Sequence, residues 1–119
     1  MLNLDTHILV DFVQGQLEAE ERKIVFDDEI AISDIVLWEI SKLVQLKRLV
    51  LDMQDRRLRA FFNLIQIIPI DMDVAIASTE LDFHSDPADE IIAATSVVHR
   101  IPLVTRDKRI LRSKIVPFA

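Results

Sequence analysis

The segment DPADEIIAATSVVHRIPLVTRD, residues 86–107, constrains the fold more than any other part of the chain. Asp86 precedes Pro87, and proline is favoured at the first helical position, where its missing N–H has no partner to lose. Asp86 is therefore predicted to be an N-cap, with Asp89 in the first turn and the helix running through about Val98. The helix is apolar almost all round, which predicts that it is buried. Residues 101–105 are a short apolar run of strand type, and Asp107 sits just past its end. In an open α/β sheet, helix N-termini and strand C-termini meet along the edge where ligands bind. Asp89 and Asp107 are predicted to lie at that edge.

The rest of the chain supplies a sheet for this segment to join. Strands are predicted over 2–4, 30–32, 65–70, 101–105 and 115–118. Helices are predicted over 6–13, 18–26, 34–47 (the longest), 52–64, 71–81 and 108–112. Gly15, the only glycine, is placed to end the first helix. Pro69 marks the end or edge of the third strand. Strands alternating with helices predict an α/β domain with a central parallel sheet of four or five strands covered on both faces.

With 119 residues, half of them hydrophobic, the chain suits one compact domain over 1–119. No apolar run is long enough to span a membrane, and the first residues read as a strand rather than a signal peptide. The absence of cysteine excludes thiolate metal sites, disulfides and cysteine nucleophiles, and fits a reducing cytoplasm. A formal net charge of −6 argues against general nucleic-acid binding, which depends on Lys and Arg. Carboxylates gathered around a divalent cation would reverse that logic locally.

Four carboxylates are placed to do so. Asp5 follows the first strand, where it serves equally as a cap for the next helix. Glu39 falls at about 40° on a helical wheel that has Ile35 at zero, Leu46 at about 20° and Leu43 at about 80°, inside the apolar stripe. A carboxylate there needs a partner or a metal. Asp89 has a dipole explanation in the first turn of its helix, but it faces small and apolar neighbours. Asp107 could cap the final helix, and Thr105 offers a hydroxyl beside it. Trp38 projects onto the polar side of its helix, as a protein-contacting residue would. Acids this close would repel one another, and a hard, oxygen-seeking cation such as Mg²⁺ would relieve the repulsion. Such an ion also suits phosphodiester cleavage by an activated water. Other chemistries lack support: the histidines at 7, 84 and 99 are scattered, there is no Gly-rich phosphate loop, and no serine sits in a nucleophile elbow.

The text LNLDTHILVDF, ISDIVLWEISKLVQLKRL and DPADEIIAATSVVHRIPLVTRDKRI resembles the PIN-domain family, and within it the VapC-type toxins of toxin–antitoxin pairs. The resemblance spans nearly the whole chain. It implies that Asp5, Glu39, Asp89 and Asp107 are the catalytic and metal-binding acids, with Asp86 and Thr105 auxiliary to them. It implies a Mg²⁺- or Mn²⁺-dependent endoribonuclease, acting as a homodimer and inhibited by a small cognate antitoxin. RNA capture by so acidic a chain would rest on Arg56, Arg57, Arg59, Arg106, Lys108 and Arg109. Three positions depart from the family pattern. Glu90 stands where the family's DPxDR text has Arg, the turn after the Glu39 helix lacks its usual Gly, and no second Asp or Asn follows Asp107. The alternatives are a PIN protein of general RNA processing and a catalytically silent PIN binding module. A phosphate-receiving signalling module would need adjacent acids after the first strand and an Asp closing a middle strand; Asp5 stands alone, and Ser33 closes the second.

Overall fold

The computed structural model describes residues 1–119. Strands β1 (Leu2–Leu4), β2 (Ile30–Ser33), β3 (Gln66–Ile68) and β4 (Leu103–Val104) form one sheet in the order β3-β2-β1-β4. All three pairings are parallel, with Leu2 opposite Ile30, Asn3 opposite Leu103 and Ile32 opposite Ile67. Helices α1 (Thr6–Val13), α2 (Ala19–Val25), α3 (Asp34–Gln45), α4 (Arg56–Leu64), α5 (Met72–Ser78), α6 (Pro87–His99) and α7 (Lys108–Leu111) make the connections. This is the predicted α/β architecture with a four-stranded parallel sheet.

The core is aliphatic. Leu4, Ile8, Leu9, Ile32, Val36, Ile40, Ile92 and Ile110 are all completely buried within one cluster. One polar side chain sits at its centre. Asn3, fully buried, donates from Nδ2 to the Ile92 carbonyl (3.1 Å) and to Ser96 Oγ (2.9 Å). These bonds tie α6 to β1, the strand that Asp5 follows. The burial of Ala93, Ala94, Thr95 and Ser96 agrees with the apolar character of α6, and these small side chains let the helix lie close to its neighbours.

Several boundaries differ from expectation for local reasons. Helix α4 starts four residues late, at Arg56, because the Asp55 carboxylate takes the N–H groups of Arg57 and Leu58. The residues before it form a turn, with Asp52 accepting from Gln54 N. Helix α3 ends at Gln45, and Lys47 adopts a left-handed conformation (φ 59°) where a glycine would be less strained. That makes α6, with 13 residues, longer than α3 with 12. Strand β3 stops before Pro69, which has no N–H to extend the ladder. The expected fifth strand is a single parallel bridge, Leu103 to Phe118. Pro117 accepts there from Leu103 N (2.9 Å) but has no donor of its own.

Candidate active site

The sheet brings the four acids to its C-terminal edge by four routes. Asp5 ends β1 and is buried, 4 % exposed. Its Oδ1 accepts from Thr6 N at 2.7 Å, which makes it the N-cap of α1, and its Oδ2 accepts from Thr105 Oγ1 at 2.6 Å. Thr105 follows β4, so this bond closes the gap between two adjacent strand ends. Glu39 lies one turn into α3 and accepts from Thr6 Oγ1 through Oε1 at 2.5 Å. Thr6 thus holds Asp5 with its backbone N–H and Glu39 with its hydroxyl.

Glu39 is nearer the margin of its helix than the wheel implied. The buried face of α3 is Val36 and Ile40, Ile35 and Leu43 are only partly covered, and Leu46 is 58 % exposed. Glu39 is half-buried beside that face, close enough to the edge of the sheet to reach Thr6. Trp38 is exposed as expected, with Lys42 Nζ 5.9 Å from its ring centre.

Asp89 sits in the first turn of α6, half-buried, and accepts from Ser85 Oγ at 3.0 Å. Burial pushes its carboxyl up to about 6; the Ser85 hydrogen bond opposes this, and the negative charges of Asp5, Glu39 and Asp107 add to it. Asp5, Glu39 and Asp107 therefore all lie within electrostatic range of Asp89. Asp107 caps α7, with Oδ1 accepting from Arg109 N (2.8 Å) and Ile110 N (3.2 Å), while its own N–H donates to Thr105 Oγ1 (3.1 Å). Asp86 occupies the N-cap position of α6, but its side chain makes no capping hydrogen bond. Instead it lines a cleft of about 470 Å³ with Asp89 and Asp107.

The donor set suits a hard divalent cation. It is all oxygen, and no ion pair of the protein involves any of the four acids. Glu39 Oε2, Asp89 Oδ1 and Asp107 Oδ2 have no protein hydrogen bond, and none is among the buried atoms without a partner, so each is open to solvent. No three acids stand close enough together to hold one ion as a closed cage. Mg²⁺ does not require one, since it is bound through one or two carboxylates and retains several waters.

Thr6, Ser85 and Arg112 are additions to the residues legible in sequence. Thr6 is adjacent to Asp5, and Ser85 immediately precedes the Asp-Pro pair. Arg112 lies one helical turn after Lys108. Each had a positional signal, but the partners of Thr6 and Ser85 lie on other elements, and Arg112 reaches the cleft only through the packing of α7. Arg106 is a correction. Sequence assigns it to RNA capture, yet its guanidinium is engaged by two carboxylates, Glu21 (2.6 and 2.5 Å) and Asp11 (2.6 Å). Arg106 in turn holds the Glu21 carboxyl below its ordinary range.

An open parallel sheet with acids at the ends of β1 and β4 and on the helices α3 and α6 is the arrangement the sequence resemblance implied. The chain matches the PIN domain family over residues 3–115, and it belongs to that family. Its fold is shared with solved toxin–antitoxin proteins. A chain of a toxin–antitoxin complex from Klebsiella pneumoniae is 25 % identical, with a TM-score of 0.76 and coverage of 100 % of this chain and 97 % of that one. FitAcB from Neisseria gonorrhoeae matches at 21 % identity, TM-score 0.76, with the same coverage of 100 % and 97 %. VapBC2 from Rickettsia felis, solved on a DNA fragment of its promoter, matches at 20 % identity, TM-score 0.72, covering 100 % and 98 %. No curated protein matches the chain.

Proposed function

We propose that residues 1–119 act as one nuclease domain, a Mg²⁺- or Mn²⁺-dependent endoribonuclease that is the toxin of a type II toxin–antitoxin pair. The observation that carries this reading is a set of carboxylates at the sheet edge that form no ion pair. Burial and three neighbouring acids raise Asp89 to about 6, and no cationic side chain is paired with any of the four. Structural carboxylates at such density are ordinarily paired. Unpaired ones cost stability, and a site selected for cation binding explains why they persist.

Asp5, Glu39, Asp89 and Asp107 would surround the ion, at most two of them bound to it directly and the others acting through its waters. When bound, it would lower the pKa of an attacking water and neutralise charge on the phosphate oxygens. The protein's own part is to orient the ligands. Thr6 fixes Glu39 against Asp5, Thr105 fixes Asp5 against β4, and Ser85 fixes one oxygen of Asp89 so that the other faces the cleft. Replacing Asp5 or Asp89 with Asn is expected to abolish Mg²⁺-dependent cleavage of mixed-sequence RNA while leaving the circular dichroism spectrum unchanged. Wild-type cleavage rates in either variant, or wild-type cleavage that persists in EDTA, would exclude this reading.

The antitoxin has a place to dock. A cleft of about 1090 Å³, distinct from the acidic one, is lined by Phe12, Val13, Val44, Leu49, Val50, Leu51, Leu58 and Phe61, between the ends of α1 and α3 and the face of α4. Val50 there is 93 % exposed. An apolar groove of this kind marks a protein-binding surface, and the solved toxin–antitoxin complex that shares this fold supports an antitoxin as its occupant. The toxin itself would act as a homodimer in the cytoplasm, with exposed Trp38 available for the contact between copies. Light scattering of the purified chain tests the dimer.

A further inference from the structure

Three cations line the same cleft as the acids and pair with none of them. Lys108, Arg109 and Arg112 face Asp86, Asp89 and Asp107 around a volume of about 470 Å³ with no hydrophobic lining residue. All three cations are exposed, and none forms an ion pair within 4.0 Å. The only protein hydrogen bond made by any of their charged groups is a long one, Arg109 Nη1 to the His84 carbonyl at 3.4 Å. Arg106 is the internal contrast: one residue before Asp107, it is held by two carboxylates. The spacing accounts for the difference. Lys108, Arg109 and Arg112 fall at i, i+1 and i+4, so Lys108 and Arg112 stand one turn apart on one side of α7 with Arg109 beside them. Asp107 caps the helix by accepting from the Arg109 and Ile110 backbone N–H groups, and it forms no ion pair with any of the three side chains.

We propose that Lys108, Arg109 and Arg112 form a phosphate-binding wall for single-stranded RNA, gripping a non-scissile phosphate so that a neighbouring phosphodiester lies over Asp89 and Asp107. The proposal rests on the ribonuclease reading of the acids. A polynucleotide carries a charge on every residue. It can therefore meet the acids through a bridging cation with one phosphate and the wall with the next. An acidic peptide would place its carboxylates against Asp86, Asp89 and Asp107 with no such bridge. The bulk charge of −6 repels RNA, so capture has to come from a local group of free cations. Arg57 on α4 lines the apolar groove, which contains none of the four acids.

The test is RNA binding, measured separately from cleavage. In an Asp89→Asn background with Mg²⁺, fluorescence anisotropy of a fluorescein-labelled mixed-sequence single-stranded RNA is followed between 50 and 200 mM KCl, values of about the range over which such contacts respond to salt. Adding Arg109→Ala and Arg112→Ala together is expected to weaken binding about tenfold at low salt. It should also reduce the slope of log K against log salt by about 0.7 for each phosphate that is no longer neutralised. Lys23→Ala with Arg48→Ala, both exposed and outside the cleft, is expected to change neither. Equal losses in the two double variants, unchanged binding in the α7 variant, or no binding to begin with would each overturn the proposal. So would an α7 variant that keeps RNA but loses a polyglutamate peptide. Wild-type protein that binds RNA in this α7-dependent way yet never cleaves it would sink the nuclease reading and leave the wall standing.

Discussion

The hydroxyl of Thr6 donates to Oε1 of Glu39 at 2.5 Å, across 33 residues of sequence. Because Thr6 N donates at the same time to Asp5, one residue sets the distance between a carboxylate on β1 and a carboxylate on α3. Thr6→Val keeps the shape of the side chain and removes the donor. Loss of such an outer partner typically costs about 10- to 100-fold in metal affinity. The expected result is a rise of that size in the Mg²⁺ concentration giving half-maximal cleavage, with Thr6→Ser close to wild type. Equal Mg²⁺ requirements in the Val and Ser variants would show that Thr6 only packs.

The raised pKa of Asp89 makes stability fall with pH. Its folded value, about 6, lies above the ordinary 3.8 of an exposed Asp, and burial is the leading cause. Between those two values the folded chain binds more protons than the unfolded chain, so raising the pH through this window destabilises the metal-free fold. Above about pH 6 the penalty is constant. Asp89→Asn removes it. Half-exposure of the group screens the effect, so the metal-free variant is expected to be about 1 kcal/mol more stable than wild type at pH 7 and equal to it at pH 4. Thermal melts in EDTA at the two pH values check this. A variant equally stabilised at both pH values would assign the gain to something other than charge.

Divalent cation and proton compete for the same carboxylate. Cation binding is expected to weaken as pH falls through about 6, where Asp89 takes up its proton. Isothermal titration of Mn²⁺ at pH 7.5 and 5.5, values chosen about equally to either side, measures the difference. In Asp89→Asn this pH dependence should be largely lost.

Arg106 joins three elements through two ion pairs, to Asp11 on α1 and to Glu21 on α2. The Glu21 side chain is only 12 % exposed and Arg106 itself 38 % exposed, so the network is stronger than an isolated surface pair but partly screened. Arg106→Met is expected to cost about 1–2 kcal/mol, with Asp11 and Glu21 left unpaired. RNA binding should be unchanged at a temperature where the variant is folded. Chemical denaturation and the anisotropy assay separate the two outcomes, and weakened RNA binding by the folded variant would restore Arg106 to the capture surface.

Val50 is the most exposed hydrophobic residue of the apolar groove. Val50→Asp should alter stability by less than about 0.5 kcal/mol, since the side chain already faces water. Co-purification with the product of an adjacent small open reading frame should be lost. Retained co-purification would place the antitoxin elsewhere.

Much of this molecule could be read from its sequence because many of its decisions are local. Ser33, Asp55, Asp71 and Asp107 each accept from an N–H two or three residues ahead, and those bonds need no other part of the chain. Helix α1 starts and ends where composition predicts, and Gly15 supplies the left-handed turn after it. The errors follow the same logic. Asp52 and Asp55 compete as helix starts, and only the geometry of the turn decides between them. The wheel placed Glu39 inside the stripe because it has no knowledge of which side of that stripe meets the sheet.

The types and order of the acids were likewise legible, but their relationships were not. Asp5 meets Thr105 across 100 residues, Asn3 meets Ser96 across 93, and Arg106 meets Glu21 across 85. No local rule links such positions, because the free energy that joins them comes from burying aliphatic surface elsewhere in the fold. Asp86 and Arg106 show the consequence. By sequence Asp86 was a cap and an auxiliary of the site, and Arg106 an RNA-binding cation; by packing, Asp86 keeps the N-cap position without a capping bond and lines the cleft, and Arg106 braces the scaffold. Local chemistry therefore determined the elements and the set of carboxylates. Tertiary packing decided which charges are neutralised by partners within the protein and which remain unpaired.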